Sequence, residues 1–368
     1  MQQPDKSQGA AVAELRERYA SLFQSPDLLP WQLDMAGARM LLALVSESVY
    51  RDTGFLDQRL NLDGKLQALW VPLERILADQ RSIAPSPPTP ARFIFHVGHC
   101  GSTLLSRLLA ENSGLLPLRE PLSLRSLAES ERLLHGPGAP VTRTEWQSLM
   151  ELLLRLLSRV YRDGQRALIK PSSSCNNLIG PLLASNREHK AVFLYLNLRS
   201  YLASVLRPQS RGALHAFAKE RAFDVHRFMP DAGISPEDLT PARLGAMNWA
   251  TSMAYLIQAQ GDESLSARIR VMEFEAFLQD PIDVLTELFI FLGHPVARET
   301  AAAILQGGHM GRYAKDMRIG YTPELRAEDL QQSMQAHRGD IDDAQAWLAG
   351  MLERSAALGP LKELVEGN

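Results

Sequence analysis

The sequence predicts an α/β protein: a parallel sheet flanked by helices in three layers, preceded by a mainly helical N-terminal module. Two observations carry this. After residue 92, short apolar runs rich in β-branched and aromatic residues alternate with longer amphipathic stretches. That is the pattern of buried parallel strands joined by helices. Ahead of it, the proline-rich segment IAPSPPTPAR (83–92) interrupts a stretch with helical periodicity. Proline removes a backbone donor and disfavours helix in the residue before it, so this segment reads as a linker. The 368 residues suffice for one large domain with an appendage, or for two domains. The expected division is a helical module over 1–82, a linker over 83–92 and an α/β domain over 93–368.

The elements follow in order. Residues 1–10 are polar and expected to fray. AELRERYASLFQ (13–24) has helical spacing, and SPDLLPW ends it. MAGARMLLALVSESVYRD and LQALWVPLERILADQ suggest further helix. RFIFHVG is the first buried strand, and STLLSRLLAEN the helix after it. RALIKPSSS, HKAVFLYLNLR and IRVMEFEAFLQDP supply three more strands, the last running into the helix of DVLTELFIFLGH. Parallel sheets of this kind bind ligands at the carboxyl ends of their strands. A candidate residue is therefore strongest just after a strand. Trp249, inside ARLGAMNWATSMAYL, and His96, inside the first strand, are expected to be core residues.

Charge narrows the function classes. Lys+Arg total 39 against 42 Asp+Glu, with no basic block or tail. This argues against a nucleic-acid partner and makes any anion site local. Two cysteines, Cys100 and Cys175, are too few for a disulfide framework. The N-terminus lacks the charged and apolar regions of a signal peptide, and no window reaches the roughly 18 apolar residues of a membrane span. A cytoplasmic location without a membrane partner is expected. No His/Cys/Asp cluster has metal-ligand spacing, so no metal is expected.

HVGHCGSTLLSR (96–107) carries two competing readings. A cysteine-dependent phosphatase loop needs a thiolate and an arginine that closes on the same phosphate. Arg107 lies one residue too far from Cys100 for that, and a helix starting near Ser102 turns it away from the loop. The other reading is a phosphate-binding loop. Strand, then Gly98-His99-Cys100-Gly101-Ser102-Thr103, then helix gathers backbone N–H groups at a helix N-terminus, where the dipole favours anions. Gly101 permits close backbone approach, and Ser102 and Thr103 add hydroxyl donors. The loop lacks the Lys that an ATP-binding Walker loop places before its Ser/Thr.

With that loop, the chain resembles the sulfotransferases that use 3′-phosphoadenosine 5′-phosphosulfate (PAPS), enzymes with a P-loop-type fold. Gly98–Thr103 matches their first loop, with His99 at the place of the usual Lys or Arg and Cys100 at that of a Ser. LREPLSL (118–124), ALIKPSSSCNNL, VFLYLNLRSYLASVLR, EFEAFLQDPIDVLTELFIFLGH and GRYAKDMRIGY (311–321) match later segments in order. The interval between Arg199 and Ser204 is shorter than the family's. The likeness spans about 92–325 and leaves 1–82 unexplained.

The resemblance implies that PAPS is the sulfonate donor and that the acceptor is a hydroxyl or amine of a small molecule, peptide or glycan. It places the 5′-phosphosulfate on His99, Cys100, Gly101, Ser102 and Thr103, and the 3′-phosphate on Arg199 and Ser204, with Arg207 as a second cation. It makes Glu120 the acid–base candidate, Lys170 a candidate for the bridging oxygen or the sulfonate, and His99 a further catalytic candidate. Lys315, with Arg312, falls on a segment over the nucleotide. His99 would be a cation only at low pH, since histidine titrates near 6.5. Two alternatives stand beside this reading. One is an ATP-dependent phosphotransferase of the P-loop kinase type, which the missing Gly-Lys-Ser disfavours. The other is a non-catalytic nucleotide-binding protein of the same fold.

Overall fold

The computed structural model describes residues 14–61, 63–83, 89–134, 136, 139–208, 210, 214, 222–230 and 233–366. The expected fraying at 1–10 and the linker core 84–88 lie outside these residues.

Residues 28–72 depart from the helical expectation. They form a three-stranded antiparallel sheet of β1 (Leu28–Asp34), β2 (Arg39–Leu44) and β3 (Ala68–Pro72), in that order. Helix survives only as the turn 14–19, α1 (Glu47–Asp52) after β2 and α2 (Leu73–Ser82) after β3. The cause is length. RMLLAL and ALWVP are apolar runs too short for periodicity to separate helix from strand, and cross-strand pairing decided them. In that pairing Met40 faces Val71 and Leu42 faces Leu69.

The second sheet has the predicted class. Its strands are β4 (Arg92–His96), β5 (Leu115–Arg119), β6 (Arg166–Lys170), β7 (Lys190–Tyr195) and β8 (Ile269–Glu273). All pair in parallel, in the order β5-β6-β4-β7-β8. β5 was not expected, and Pro117 sits in its middle. The strand tolerates proline because it is at the sheet edge and pairs only with β6.

Helices cover the sheet. α3 (Ser102–Ala110) follows β4, and α4 (Leu122–Leu133) and α5 (Arg143–Leu157) follow β5. α6 (Leu198–Val205) follows β7, and α7 (Pro241–Gln260) precedes β8. α8 (Phe274–Gln279) and α9 (Pro281–Leu292) come after β8, then α10 (Pro323–Ala336) and α11 (Arg338–Leu352). α7 starts on a Thr240 cap with Pro241 in its first turn, a good helix start. Its Trp249 is fully buried and donates to the Leu196 carbonyl at 2.8 Å.

The chain leaves central β4 toward β5 and later crosses back to β7. The sheet order therefore reverses around β4, and the carboxyl ends of β4, β5 and β6 open onto one space. Among the described residues no helix is long and apolar enough to cross a membrane.

Candidate functional site

A cavity of about 370 Å³ lies at those carboxyl ends. Its floor is the loop after β4. Gly98, His99 and Gly101 all have left-handed backbone, at φ 89°, 52° and 79°. Gly101 ends the loop as the N-cap of α3. Only glycine fits there. A Cβ at 101 would lie 2.3 Å from the Phe274 ring, and left-handed φ already disfavours a side chain. Helix geometry leaves the first N–H groups of α3 without intrahelical partners. The Ser102 and Thr103 hydroxyls make no hydrogen bond among the described residues, and both residues line the cavity. Such an arrangement can cradle an anion at a helix N-terminus.

His99 lines the cavity but is no cation. Burial, then the positive charges of Lys315 and Arg207, push its pKa down to about 3. The expected pH-dependent cation is thus replaced by a neutral imidazole. Cys100 lies beneath the loop with its thiol donating to the Leu194 carbonyl at 3.4 Å. Burial pushes that thiol up to about 11.

His96 is a satisfied core histidine. Its Nδ1 accepts from the Gly98 N–H at 3.0 Å, so Nε2 carries the proton and donates to the Pro171 carbonyl at 3.1 Å. Burial and the neighbouring Lys170 hold its pKa well below the usual value.

Glu120 follows β5 in a left-handed conformation, φ 56°. Its N–H donates to the Lys170 carbonyl at 2.6 Å. Its carboxylate faces the cavity, accepting from Lys170 Nζ at 2.5 Å and from Arg59 at 3.3 Å. Burial would raise the Glu120 pKa, but Lys170, then Arg59 and Lys315, outweigh it and hold it low. Lys170 itself is fully buried behind Glu120 and does not reach the cavity surface. Its ammonium is held by the Glu120 carboxylate.

The far wall comes from α6 and the late segments. Ser204 lines it, with no hydrogen bond to its hydroxyl among the described residues. Arg207 lines it too, donating to Tyr321 Oη at 3.1 Å and pairing with Asp329 at 3.2 Å. Arg312 and Lys315 also line the cavity. Arg199 does not. It pairs with Asp342 at 2.8 Å and donates to Gln345 on α11. Five residues separate the directions of Arg199 and Ser204 by about 140° at about 100° per residue, so one helix cannot aim both into one cavity.

The sequence reading missed Phe55 and Arg59, which come from the N-terminal segment, and Phe274, Tyr321 and Arg326. Of these, Tyr321 carried a signal, as the last residue of the GRYAKDMRIGY segment.

No family model matches the chain, and no curated protein matches it either. Among solved structures it is similar to the sulfotransferase domain from the curacin biosynthetic pathway, at 17% identity and TM-score 0.40, covering 68% of this chain and 98% of that one. It is similar to a sulfotransferase from Alicyclobacillus acidocaldarius at 18% identity and TM-score 0.39, covering 76% and 97%. A mouse sulfotransferase, SULT7A1, complexed with PAP matches at 12% identity and TM-score 0.38, covering 80% and 96%. All three of these structures are sulfotransferases or a sulfotransferase domain. At these values the chemistry of the site has to be read from this chain's own residues.

Proposed function

We propose that the protein is a PAPS-dependent sulfotransferase acting on a hydroxyl or amine acceptor. The observation that carries this is the anion cradle of Gly98–Thr103 opening into a cavity ringed by arginine and lysine, with no lysine in the loop for a Mg-triphosphate. Ser102 and Thr103 offer hydroxyls to a 5′-phosphosulfate, and Ser204 and Arg207 offer a second anion site for a 3′-phosphate. PAPS supplies the sulfuryl group. The acceptor atom bonds to sulfur, the bond from sulfur to the 5′-phosphate oxygen breaks, and its electron pair leaves on adenosine 3′,5′-bisphosphate (PAP). Glu120, anionic at neutral pH, takes the acceptor proton. Catalysis is then mainly positioning and electrostatic stabilisation.

In this reading residues 93–368 form the catalytic domain and residues 1–82 a module before the linker 83–92, which lends Phe55 and Arg59 to the acceptor side. The acceptor is a small molecule, peptide or glycan, the donor chemistry runs without a metal, and the location is cytoplasmic.

Thermal shift with PAP against ATP-Mg tests the reading. At a hundredfold excess over Kd, PAP stabilises the fold by about 2.7 kcal/mol. Arg207→Ala removes most of that shift, and Arg199→Ala, outside the cavity, leaves it in place. Stabilisation by ATP-Mg but not by PAP overturns the reading in favour of a kinase-like enzyme.

A further inference from the structure

A sulfuryl group in transfer spreads negative charge over three oxygens, and fixed positive charge aimed at them lowers the barrier. The anion loop brings none. His99 is neutral, and Lys170 is sealed behind Glu120. The charge must come from another segment.

Five basic side chains line the cavity: Arg59, Arg207, Arg312, Lys315 and Arg326. Four are already engaged. Arg59 pairs with Asp57 at 2.5 Å and Glu120 at 3.3 Å, and Arg207 with Asp329 at 3.2 Å. Arg326 pairs with Glu275 at 2.6 Å, and Arg312 donates to the Met317 carbonyl at 2.9 Å. Lys315 is different. Among the described residues its ammonium has no ion pair and no hydrogen bond. It is also the strongest charge acting on His99, and it acts on Cys100 and Glu120 as well. It lines the same cavity as the anion loop and Glu120.

The backbone next to Lys315 is anchored. Arg107 lies on α3, the helix that the anion loop opens, and is buried. Its Nε donates to the Ala314 carbonyl at 2.8 Å, and its Nη2 to the Asp52 carbonyl at the end of α1 at 3.1 Å. Gly54 closes the contact, since a Cβ there would lie 3.4 Å from the Lys315 carbonyl. One arginine thus bonds the segment carrying Lys315 to the helix whose N-terminus is the cradle.

We propose that Lys315 is the catalytic cation of the sulfuryl transfer, touching the sulfuryl oxygens, and that Arg107 is the positioning residue that holds it over the loop. This assignment rests on the sulfotransferase reading. Lys315 keeps its proton throughout. It stabilises the charge that builds as the bond from acceptor to sulfur forms and the bond from sulfur to the 5′-phosphate breaks. The electron pair leaves on PAP and the acceptor proton goes to Glu120.

Calorimetric titration with PAPS and with PAP, which lacks only the sulfuryl group, tests it without an acceptor. Lys315→Ala should weaken PAPS by about tenfold or more and PAP by less than about threefold, because one charge-assisted contact to the sulfuryl oxygens is lost. Arg107→Lys should weaken PAPS in the same selective sense. In the Lys315→Ala background it should add less than about twofold, since the two residues act as one unit. Retained PAP affinity in Arg107→Lys reports an intact cradle, and Lys315→Ala, on an exposed segment, decides the cation without it. Equal weakening of PAP and PAPS by Lys315→Ala overturns the assignment and makes Lys315 a nucleotide-holding residue. An Arg107→Lys effect of the same size in both backgrounds overturns the positioning role. If the unaltered protein binds neither ligand, the sulfotransferase reading falls and this assignment with it.

Discussion

The Cys100 thiol is sealed under the loop after β4, and its surroundings make it a poor nucleophile. It is fully buried, bonded to the Leu194 carbonyl, and pushed up to about 11 by burial. A nucleophilic cysteine needs an exposed, easily formed thiolate. Native protein should therefore react with a thiol reagent such as DTNB at neither Cys100 nor Cys175, both buried, and release both thiols in denaturant. Cys100→Ser should cost about 1 kcal/mol, keep the bond to Leu194 and retain the PAP shift. Loss of PAPS turnover with PAP binding intact would restore the nucleophile reading. Beside it, His99 shows how a residue type can mislead. Its unperturbed titration suggests a switch, but burial and two neighbouring cations keep it neutral.

The loop-and-helix element tolerates little change because it is built from close approach. Gly101→Ala meets two penalties: a left-handed φ of 79° and a Cβ 2.3 Å from Phe274. Together they should cost more than about 2 kcal/mol in a urea melt and abolish the PAP shift. Gly180→Ala is the control, since nothing lies within 4 Å of its Cβ and no positive φ is recorded there. It should be neutral or slightly stabilising. An equal loss in both variants would show that the cradle is not specially constrained. The same element was largely readable in advance. Strand, Gly-rich loop and helix follow one another over 92–110. What was hidden was the partner across the gap, Phe274, which is far away in the chain.

Over the whole molecule, buried charge and buried histidine set the pH response. His189 is held down to about 4 by burial, His99 to about 3, and His96 well below the usual value. Unfolding lets each return to about 6.5. The unfolded chain therefore binds more protons below that pH, so stability is full above 6.5 and falls as pH drops toward 4. His189 alone should account for a loss on the order of 2 kcal/mol at pH 5. Below about 4.5 the paired Glu120, held low, adds a further loss. Urea midpoints at pH 7.5 and 5.0 check this, with His189→Asn flattening part of the slope. No drop between those pH values would contradict it. The N-terminal segment is tied to the sheet domain by buried arginines. Arg119 donates to the carbonyls of Tyr50, Arg51 and Thr53, and Arg159 to those of Ser25 and Leu28. These bonds place Phe55 and Arg59 over the cavity.

The sequence by itself determined the α/β class, four of the five parallel strands, the glycine-rich loop at 98–103 and the place of the cavity at the strand ends. These are local matters, set by apolar run length, glycine position and the dipole of a single helix. Tertiary structure alone decided the sheet within 28–72 and the edge strand around Pro117, because strand pairing is a contact between distant segments. It also decided which cations face the cavity. Arg199 turned to Asp342, Lys170 sank behind Glu120, and Lys315, without an ion pair among the described residues, lines the cavity. A side chain's charge is written in its residue type, but its partner is found only when the chain has folded.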